Sequence, residues 1–227
     1  MSNRGMSICR GAVYKPVYKP VGGYNLLQGN SQLILIIGGA RSGKSIFAEQ
    51  LAIKSGRSVA YIATATASDD DMRDRIARHQ AARPSSWLTV EEPLHLADAV
   101  QHSTNLADVV LLDCITVWLS NWLLAQEELH PLSSTPSSLY SEKAMQEIDA
   151  LLHIVAALDA SGPAFKRLVV VTNEVGLGIV PAYALGRVYR DILGLVNKRL
   201  AQQASHVYLM VAGLAVDIKR LHEDASL

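Results

Sequence analysis

The stretch that decides the fold is LILIIGGARSGKS, residues 33–45. Its first five residues are a continuous apolar, β-branched-rich run, which is typical of a central parallel strand covered on both faces. The next eight match the phosphate-binding pattern G-x-x-x-x-G-K-[ST], namely Gly38, Gly39, Ala40, Arg41, Ser42, Gly43, Lys44 and Ser45. Glycines in this pattern let backbone N–H groups turn inward around a phosphate, and the following helix adds its positive N-terminal end. We therefore predict a nucleoside triphosphate site here, with Lys44 reaching the β- and γ-phosphates and the Ser45 hydroxyl coordinating Mg²⁺.

Downstream of this motif, strand and helix patterns alternate. The predicted strands are 33–37, 59–63, 87–91, 108–113, 167–172 and 206–211, and the predicted helices are 45–55, 68–80, 94–101, 116–124, 141–158 and 183–204. Prolines, serines and threonines in 130–140, and glycines in 173–181, indicate loops. Strands separated by helices predict βαβ units and a mostly parallel sheet, that is, an α/β fold.

The chain has 227 residues, of which 49% are apolar and 19% charged, a composition typical of one globular domain. We expect a single domain, built around the predicted triphosphate site, over 32–227. Residues 1–31 contain a VYKP tandem among prolines and glycines, which predicts an extended, flexible N-terminal arm.

Charge and cysteine content narrow the function classes. Lys and Arg number 21, as do Asp and Glu, so a general nucleic-acid binder, which needs a basic excess, is disfavoured. The two cysteines, Cys9 and Cys114, suit neither a disulfide framework nor a zinc site, and we expect a reducing compartment, the cytoplasm. No apolar run approaches the roughly 18 residues of a membrane span, and the first residues lack the apolar segment of a signal peptide.

Asp113 ends the apolar run of the fourth predicted strand. An acid at the carboxyl end of a buried strand beside the P-loop strand lies where open α/β sheets bind ligands, so Asp113 is a candidate partner of the magnesium site. The alternative is an aspartate that caps the next helix. We interpret the neighbouring Cys114 as a small core residue.

The second predicted helix carries a candidate nucleophile. Arg75, Arg78 and His79 have i, i+3, i+4 spacing and share one face. This face is either a solvated basic surface or a phosphate-binding surface that holds a nucleophile. A neutral imidazole can attack an α-phosphate and displace pyrophosphate, and nearby arginines favour the neutral form while binding phosphates.

Two other P-loop classes fit poorly. A GTPase carries N-K-x-D after a strand, whereas residues 197–200 read NKRL inside a predicted helix. An L-S-G-G-Q-like transporter signature is also missing from the sequence. The remaining expectation is a transferase that acts on a small molecule.

Several blocks in order resemble the bifunctional adenosylcobinamide kinase/adenosylcobinamide-phosphate guanylyltransferase family. They lie between Leu33 and Lys219 and comprise the P-loop 38–45, YIATA (61–65), DDM (70–72), RIARH (75–79), RP (83–84), WLTVEEP (87–93), TNEVGLGIVP (172–181), GRVYRD (186–191), VN (196–197) and AGL (212–214). The resemblance implies a RecA-like sheet with helices on both faces and a homo-oligomer that can be trimeric.

The resemblance also implies an activity in cobalamin biosynthesis. ATP or GTP would phosphorylate adenosylcobinamide, and GMP from GTP would then pass through a histidine to adenosylcobinamide phosphate, giving adenosylcobinamide-GDP. His79 matches the family's GMP-accepting histidine. Beyond the P-loop, the positions that match nucleotide contacts are Ala63, Thr64, Ala65, Gln80, Ala81, Ala82, Arg83, Glu91 and Asp113. Two alternatives stay open: a kinase without guanylyl transfer, and a non-catalytic nucleotide-sensing module.

Overall fold

The computed structural model describes residues 33–66, 70–160 and 166–225, so the predicted arm over 1–31 lies outside the described residues. Strands and helices alternate along most of the described chain, as the sequence predicts. In chain order they are β1 Leu33–Gly38, α1 Lys44–Lys54, β2 Val59–Ala63, α2 Asp70–Ala82, β3 Leu88–Glu91, α3 Leu96–Leu106, β4 Val109–Asp113, α4 Ile115–Leu129, α5 Ser137–Ala160, β5 Arg167–Asn173, α6 Ala184–Gln203, β6 His206–Val211, β7 Leu214–Asp217 and α7 Ile218–Ala225.

The strands form one seven-stranded sheet in the order β3-β2-β4-β5-β1-β6-β7. Neighbours are parallel except for β7, which runs antiparallel to β6. This confirms the mostly parallel α/β sheet that the sequence predicts for a RecA-like P-loop fold. The register pairs Gly38, where the P-loop begins, with Asn173 of β5 and Met210 of β6. The phosphate-binding motif thus lies at the carboxyl edge of the sheet, between two strands.

Helices cover both faces of the sheet, which explains the continuous apolar run in β1. Leu33, Leu35 and Ile37 belong to a core cluster that includes α3, α4, α5 and α6 side chains. Ile34 and Ile36 belong to a second cluster on the opposite face, packed with the α1 side of the molecule. Burying each Leu or Ile side chain contributes about 1.5–3 kcal/mol, so the two cores hold β1, and with it the start of the P-loop, in place.

Two features of the fold differ from the sequence-based expectation. β4 is not beside the P-loop strand, because β5 lies between β4 and β1. The expected neighbourhood of Asp113 and the P-loop strand is therefore wrong, since strands buried on both faces read alike and the sequence does not order them. The hairpin strand β7 and helix α7 were also not predicted; a two-residue turn with Ala212 at φ 50° and Gly213 at φ 82° joins β6 to β7.

Several helix bounds also shift. α4 continues to Leu129, because residues 125–129 include good helix formers such as Ala, Gln, Glu and Leu. α5 begins at Ser137, directly after Pro136, rather than at 141. Ser68, the predicted start of the second helix, lies outside the described residues. Within the described part of the chain, no helix combines the length and apolar character needed to cross a bilayer.

Candidate functional site

The backbone of the P-loop requires glycine at two positions. Gly43 has φ 94°, in the left-handed region, and directly precedes the first residue of α1. A Cβ at Gly38 would overlap the carbonyl oxygen of Met210 on β6. The loop closes with hydrogen bonds from the Ser42 N–H to the Gly39 carbonyl (3.4 Å) and from the Phe47 N–H to the Gly43 carbonyl (2.9 Å). The glycines of the motif thus serve the local conformation that a phosphate cradle needs.

Lys44 lies across this loop. Its Nζ donates to the Gly39 carbonyl at 2.5 Å and to the Ser42 Oγ at 3.4 Å. Burial lowers the pKa of Lys44, while the Asp113 carboxylate acts in the opposite direction and favours the charged form. The ammonium is therefore held over the loop by the loop's own acceptors, within reach of any phosphate that the loop binds.

A cavity of about 500 Å³ borders the start of α1. Its lining brings together predicted residues from different elements: Ser45, Ala63, Ala65, His79, Gln80, Arg83, Glu91 and Asp113. The candidate nucleophile on α2 thus faces the same space as the two candidate magnesium ligands on α1 and β4. The sequence alone does not predict that these residues lie together, because His79 and Asp113 are far apart along the chain and their elements come together only in the folded structure.

The other predicted nucleotide contacts are placed differently. Thr64 is fully buried, and its hydroxyl donates to the Cys114 carbonyl (2.8 Å) and accepts from the Cys114 N–H (2.9 Å). Ala81 is exposed on α2. The side chains of Arg75, Arg78 and Ala82 lie outside the described residues, so the predicted basic face is described only through His79. Gly39, Ala40 and Arg41 are exposed at the tip of the P-loop.

Tyr61 links the α2 end to Asp113. The Arg83 guanidinium lies over the Tyr61 ring, with Cζ 3.3 Å from the ring centroid. The Tyr61 hydroxyl donates to Asp113 Oδ2 at 2.8 Å, and burial followed by the Asp113 charge raises the pKa of Tyr61, which keeps the phenol a neutral donor. The N-cap residue of α4 is Cys114, with no side-chain cap bond. The carboxylate of Asp113 thus bonds to Tyr61 rather than capping the next helix.

Glu49, one helical turn after Ser45 on α1, is a second residue that the sequence analysis missed. Its Oε1 is buried and has no hydrogen-bond partner among the described residues, and the same holds for Nε and Nη1 of Arg83. Burial raises the pKa of Glu49, the Arg83 charge opposes this, and the Asp113 charge adds to it. The i, i+4 spacing from Ser45 and the need of a buried Tyr61 hydroxyl for a partner were the two signals that could have identified these residues.

The groups that could hold a metal ion suit magnesium bound with a nucleotide. Across 33–66, 70–160 and 166–225, no three His, Cys, Asp or Glu side chains gather as a metal site. Ser45 and Asp113 nevertheless offer a hydroxyl and a carboxylate to one cavity. Mg²⁺ commonly binds through one or two protein oxygens and completes its shell with phosphate oxygens and water. The donor set therefore fits a metal that arrives with a triphosphate.

Cys114 is inert in this site. Burial is the main cause that raises its pKa to about 12, with the Asp113 charge adding to the shift. The thiol is therefore protonated near neutral pH and a poor nucleophile. It packs against the core on the α1 face, in agreement with its interpretation as a small core residue.

The loop after β5 begins at the P-loop. The Glu174 N–H donates to the Gly38 carbonyl at 3.0 Å, and the Glu174 Oε1 accepts from the Gly176 N–H at 2.5 Å. Further along, Leu177 and Ile179 are 91% and 96% exposed. The loop is thus fixed at its start and presents apolar side chains to solvent, which leaves both a turn and a substrate-closing loop as interpretations.

Sequence comparisons agree with this geometry. Residues 34–218 match the family model described as cobinamide kinase / cobinamide phosphate guanyltransferase. The Pseudomonas aeruginosa bifunctional adenosylcobalamin biosynthesis protein CobP is 42% identical over 185 residues, covering 82% of this chain and 96% of that protein. The bifunctional adenosylcobalamin biosynthesis proteins CobU of Escherichia coli and Salmonella typhimurium are each 42% identical to this chain. Each alignment covers 82% of this chain and 99% of the CobU protein.

Solved structures show a weaker likeness. The RadB recombinase has a TM-score of 0.42 and 15% identity, over 78% of this chain and 73% of that chain. A type III secretion ATPase has a TM-score of 0.47 and 10% identity, over 84% of this chain and 57% of that chain. Likenesses of this size have no bearing on function.

Proposed function

Because the chain belongs to the cobinamide kinase / cobinamide phosphate guanyltransferase family, we propose that it carries out both reactions on the adenosyl form of the corrinoid, in cobalamin biosynthesis. ATP or GTP phosphorylates adenosylcobinamide, and GMP from GTP then passes through His79 to adenosylcobinamide phosphate, giving adenosylcobinamide-GDP. The observation that carries the proposal is the shared cavity: His79 of α2, Ser45 of α1 and Asp113 of β4 all line it.

The kinase step uses the P-loop. Its amides and Lys44 bind the phosphates and balance the charge that develops during transfer. The acceptor hydroxyl of the corrinoid attacks the γ-phosphorus and releases its proton to solvent, the bond to the β-phosphate oxygen breaks, and the nucleoside diphosphate leaves. Ser45 and Asp113 would hold Mg²⁺ next to the phosphates, and Mg²⁺ neutralises phosphate charge there when bound.

The guanylyl step uses His79. The imidazole nitrogen that carries the lone pair attacks the α-phosphorus of GTP, and the bond between this phosphorus and the pyrophosphate oxygen breaks. The other ring nitrogen then releases its proton. The phosphate of adenosylcobinamide phosphate then attacks the same phosphorus, the P–N bond breaks, and the imidazole takes a proton back. The first step thus consumes the free imidazole and releases pyrophosphate, and the second step regenerates the imidazole.

Arg83 supports the phosphates in this step. Its Nε and Nη1 are buried without a partner among the described residues, while stacking on Tyr61 holds the guanidinium plane. A planar guanidinium with two N–H donors that have no partner among the described residues has the geometry to bind two oxygens of one phosphate group. His79 and Arg83 line the same cavity, which supports a role for Arg83 in holding the phosphate that His79 attacks.

The decisive experiment is mass spectrometry of the protein after incubation with α-labelled GTP. We expect one acid-labile GMP on His79, its loss in His79→Asn, and retained kinase activity in that variant. His102→Asn, at an exposed position on α3, is the matched control and should label as wild type.

The alternatives predict other results. Labelling undiminished in His79→Asn would refute the histidine intermediate. Kinase turnover without any labelling would favour the kinase-only alternative, and tight nucleotide binding without product would favour the sensing module.

Four finer points stay predictions. GTP, ATP and Mg²⁺ as the bound species are predicted from the P-loop pattern and the family. A homo-oligomer that can be trimeric is predicted from the family, and a cytoplasmic location from the cysteine content. The division into an arm over 1–31 and one domain over 32–227 is likewise a prediction. Sedimentation velocity of the full chain with and without GTP measures the oligomer, and a monomer under both conditions would contradict it.

A further inference from the structure

The β6–β7 turn lies against the P-loop. The Gly213 N–H donates to the Ser42 carbonyl at 3.0 Å. A Cβ built on Gly43 would lie 3.4 Å from the Gly213 Cα. Together with the overlap between a Cβ at Gly38 and the Met210 carbonyl, these contacts show that the end of β6 and the turn form one wall of the loop.

The hydrogen bond at Ser42 determines where the next amide points. The Ser42–Gly43 peptide bond is trans, since the cis bond found in the described chain is Asp113–Cys114. In a planar trans peptide the C=O and the following N–H point in opposite directions. With the Ser42 carbonyl directed at the turn, the Gly43 N–H is directed away from it. This amide belongs to the set that cradles phosphate in the P-loop pattern.

The turn is well suited to hold this donor in place. Ala212 and Gly213 both have positive φ, the conformation of a tight two-residue hairpin turn, and the flanking pair Val211 and Leu214 closes the β6–β7 ladder. A side chain at 213 would meet no atom within 4 Å, so space does not explain why the residue is glycine. The left-handed backbone conformation, with φ 82°, does.

We propose that Gly213 is a positioning residue of the phosphate cradle: its amide orients the Ser42–Gly43 peptide so that the Gly43 N–H faces the triphosphate. The proposal rests on the proposed function only in that the P-loop binds a nucleoside triphosphate. Since one cradle serves both reactions, Gly213 acts on nucleotide affinity in the kinase and guanylyl steps alike.

The first test compares Gly213→Val with Gly56→Val. Gly56 also has positive φ (63°), follows the far end of α1 and has open space around a Cβ, so valine meets the same backbone penalty there. Calorimetry should show GTP and ATP Kd values about tenfold weaker for Gly213→Val than for Gly56→Val, as expected when one hydrogen bond to a charged group is weakened. The two Tm values should fall by similar amounts, and the KM for the corrinoid should not change. Equal nucleotide Kd values in the two variants would overturn the proposal.

A second variant covers the case in which Gly213→Val does not fold. Cell-free translation with glycolic acid at 213 replaces the N–H by an ester oxygen and leaves every side chain unchanged. We expect the same rise in the nucleotide Kd, and a wild-type Kd would refute the role of the amide. Wild-type protein that binds neither GTP nor ATP would instead overturn the proposed function, and this inference with it.

Discussion

The P-loop and helix α2 form two sides of the candidate site and are held in different ways. Backbone N–H groups from both flanking segments bond to P-loop carbonyls, Glu174 to Gly38 and Gly213 to Ser42. α2 is held near the cavity mainly through side chains: Arg83 stacks on Tyr61, and Gln80 Nε2 donates to Glu91 Oε1 at 3.2 Å. The P-loop is therefore held in place by backbone hydrogen bonds, whereas the position of the nucleophile depends on a few side-chain contacts.

This difference implies that changes in the P-loop impair both reactions and that changes on α2 separate them. Lys44→Ala gives the largest expected effect, a loss of roughly 100-fold or more in both kinase turnover and His79 labelling, because one preorganised charge is removed from a shared site. Steady-state kinetics and labelling rates measure it. Lys54→Ala, exposed in the last turn of the same helix, is the control and should change neither rate. A loss of only one of the two activities in Lys44→Ala would contradict the inference that the P-loop serves both reactions.

Arg83→Lys tests the α2 side. Lysine keeps the charge but loses the planar stack on Tyr61 and the fork of donors, so we expect about tenfold slower GMP labelling of His79, equivalent to roughly 1.4 kcal/mol. The kinase rate should change much less. Arg73→Lys is the control, since Arg73 is exposed on α2 and pairs with Asp70 at 2.5 Å. Equal losses in both reactions would show that Arg83 serves the shared phosphate site instead.

Glu49→Gln has the smallest expected effect, a change in thermal stability. Glu49 is on α1, directly after the P-loop, and interacts with the charge of Arg83 on the α2 side. Burial raises the pKa of Glu49 above its ordinary 4.5, so the folded state binds this proton more tightly than the unfolded chain does. The stability from this proton is complete below about pH 4.5 and is lost as pH rises through the folded pKa. Glutamine carries no charge, so the variant should have a Tm about 2 °C higher than wild type at pH 7.

The pH dependence is the check on that prediction. The gain in Tm should disappear at about pH 4, where Glu49 is protonated in both states. Glu142→Gln, at an exposed position on α5, should show no such dependence. A Tm for Glu49→Gln that is equal to or below wild type at pH 7 would mean that attraction to Arg83 outweighs the cost of burial.

Local patterns were sufficient for the parts of the fold and site that depend on local chemistry. The run at 33–37, the glycines of the P-loop and the alternation of strands and helices predicted β1, the cradle and the mostly parallel sheet. They could do so because a strand covered on both faces, a left-handed glycine and a helix N-terminus each require particular residues at fixed spacing. His79 was predicted as the nucleophile from its spacing with Arg75 and Arg78 together with the family resemblance.

The sequence by itself determined that this chain has a P-loop in an α/β fold and which residues could do chemistry there. Only the tertiary structure decided that β5 lies between β1 and β4 and that His79, Ser45 and Asp113 share one cavity. It also decided that Tyr61 bonds to Asp113, that Glu49 lies close enough to Arg83 for that charge to affect its pKa, and that Gly213 bonds to the P-loop. The physical reason is range: backbone conformation is set by neighbouring residues, whereas hydrogen bonds and charge interactions between distant elements depend on how buried strands of similar composition are ordered.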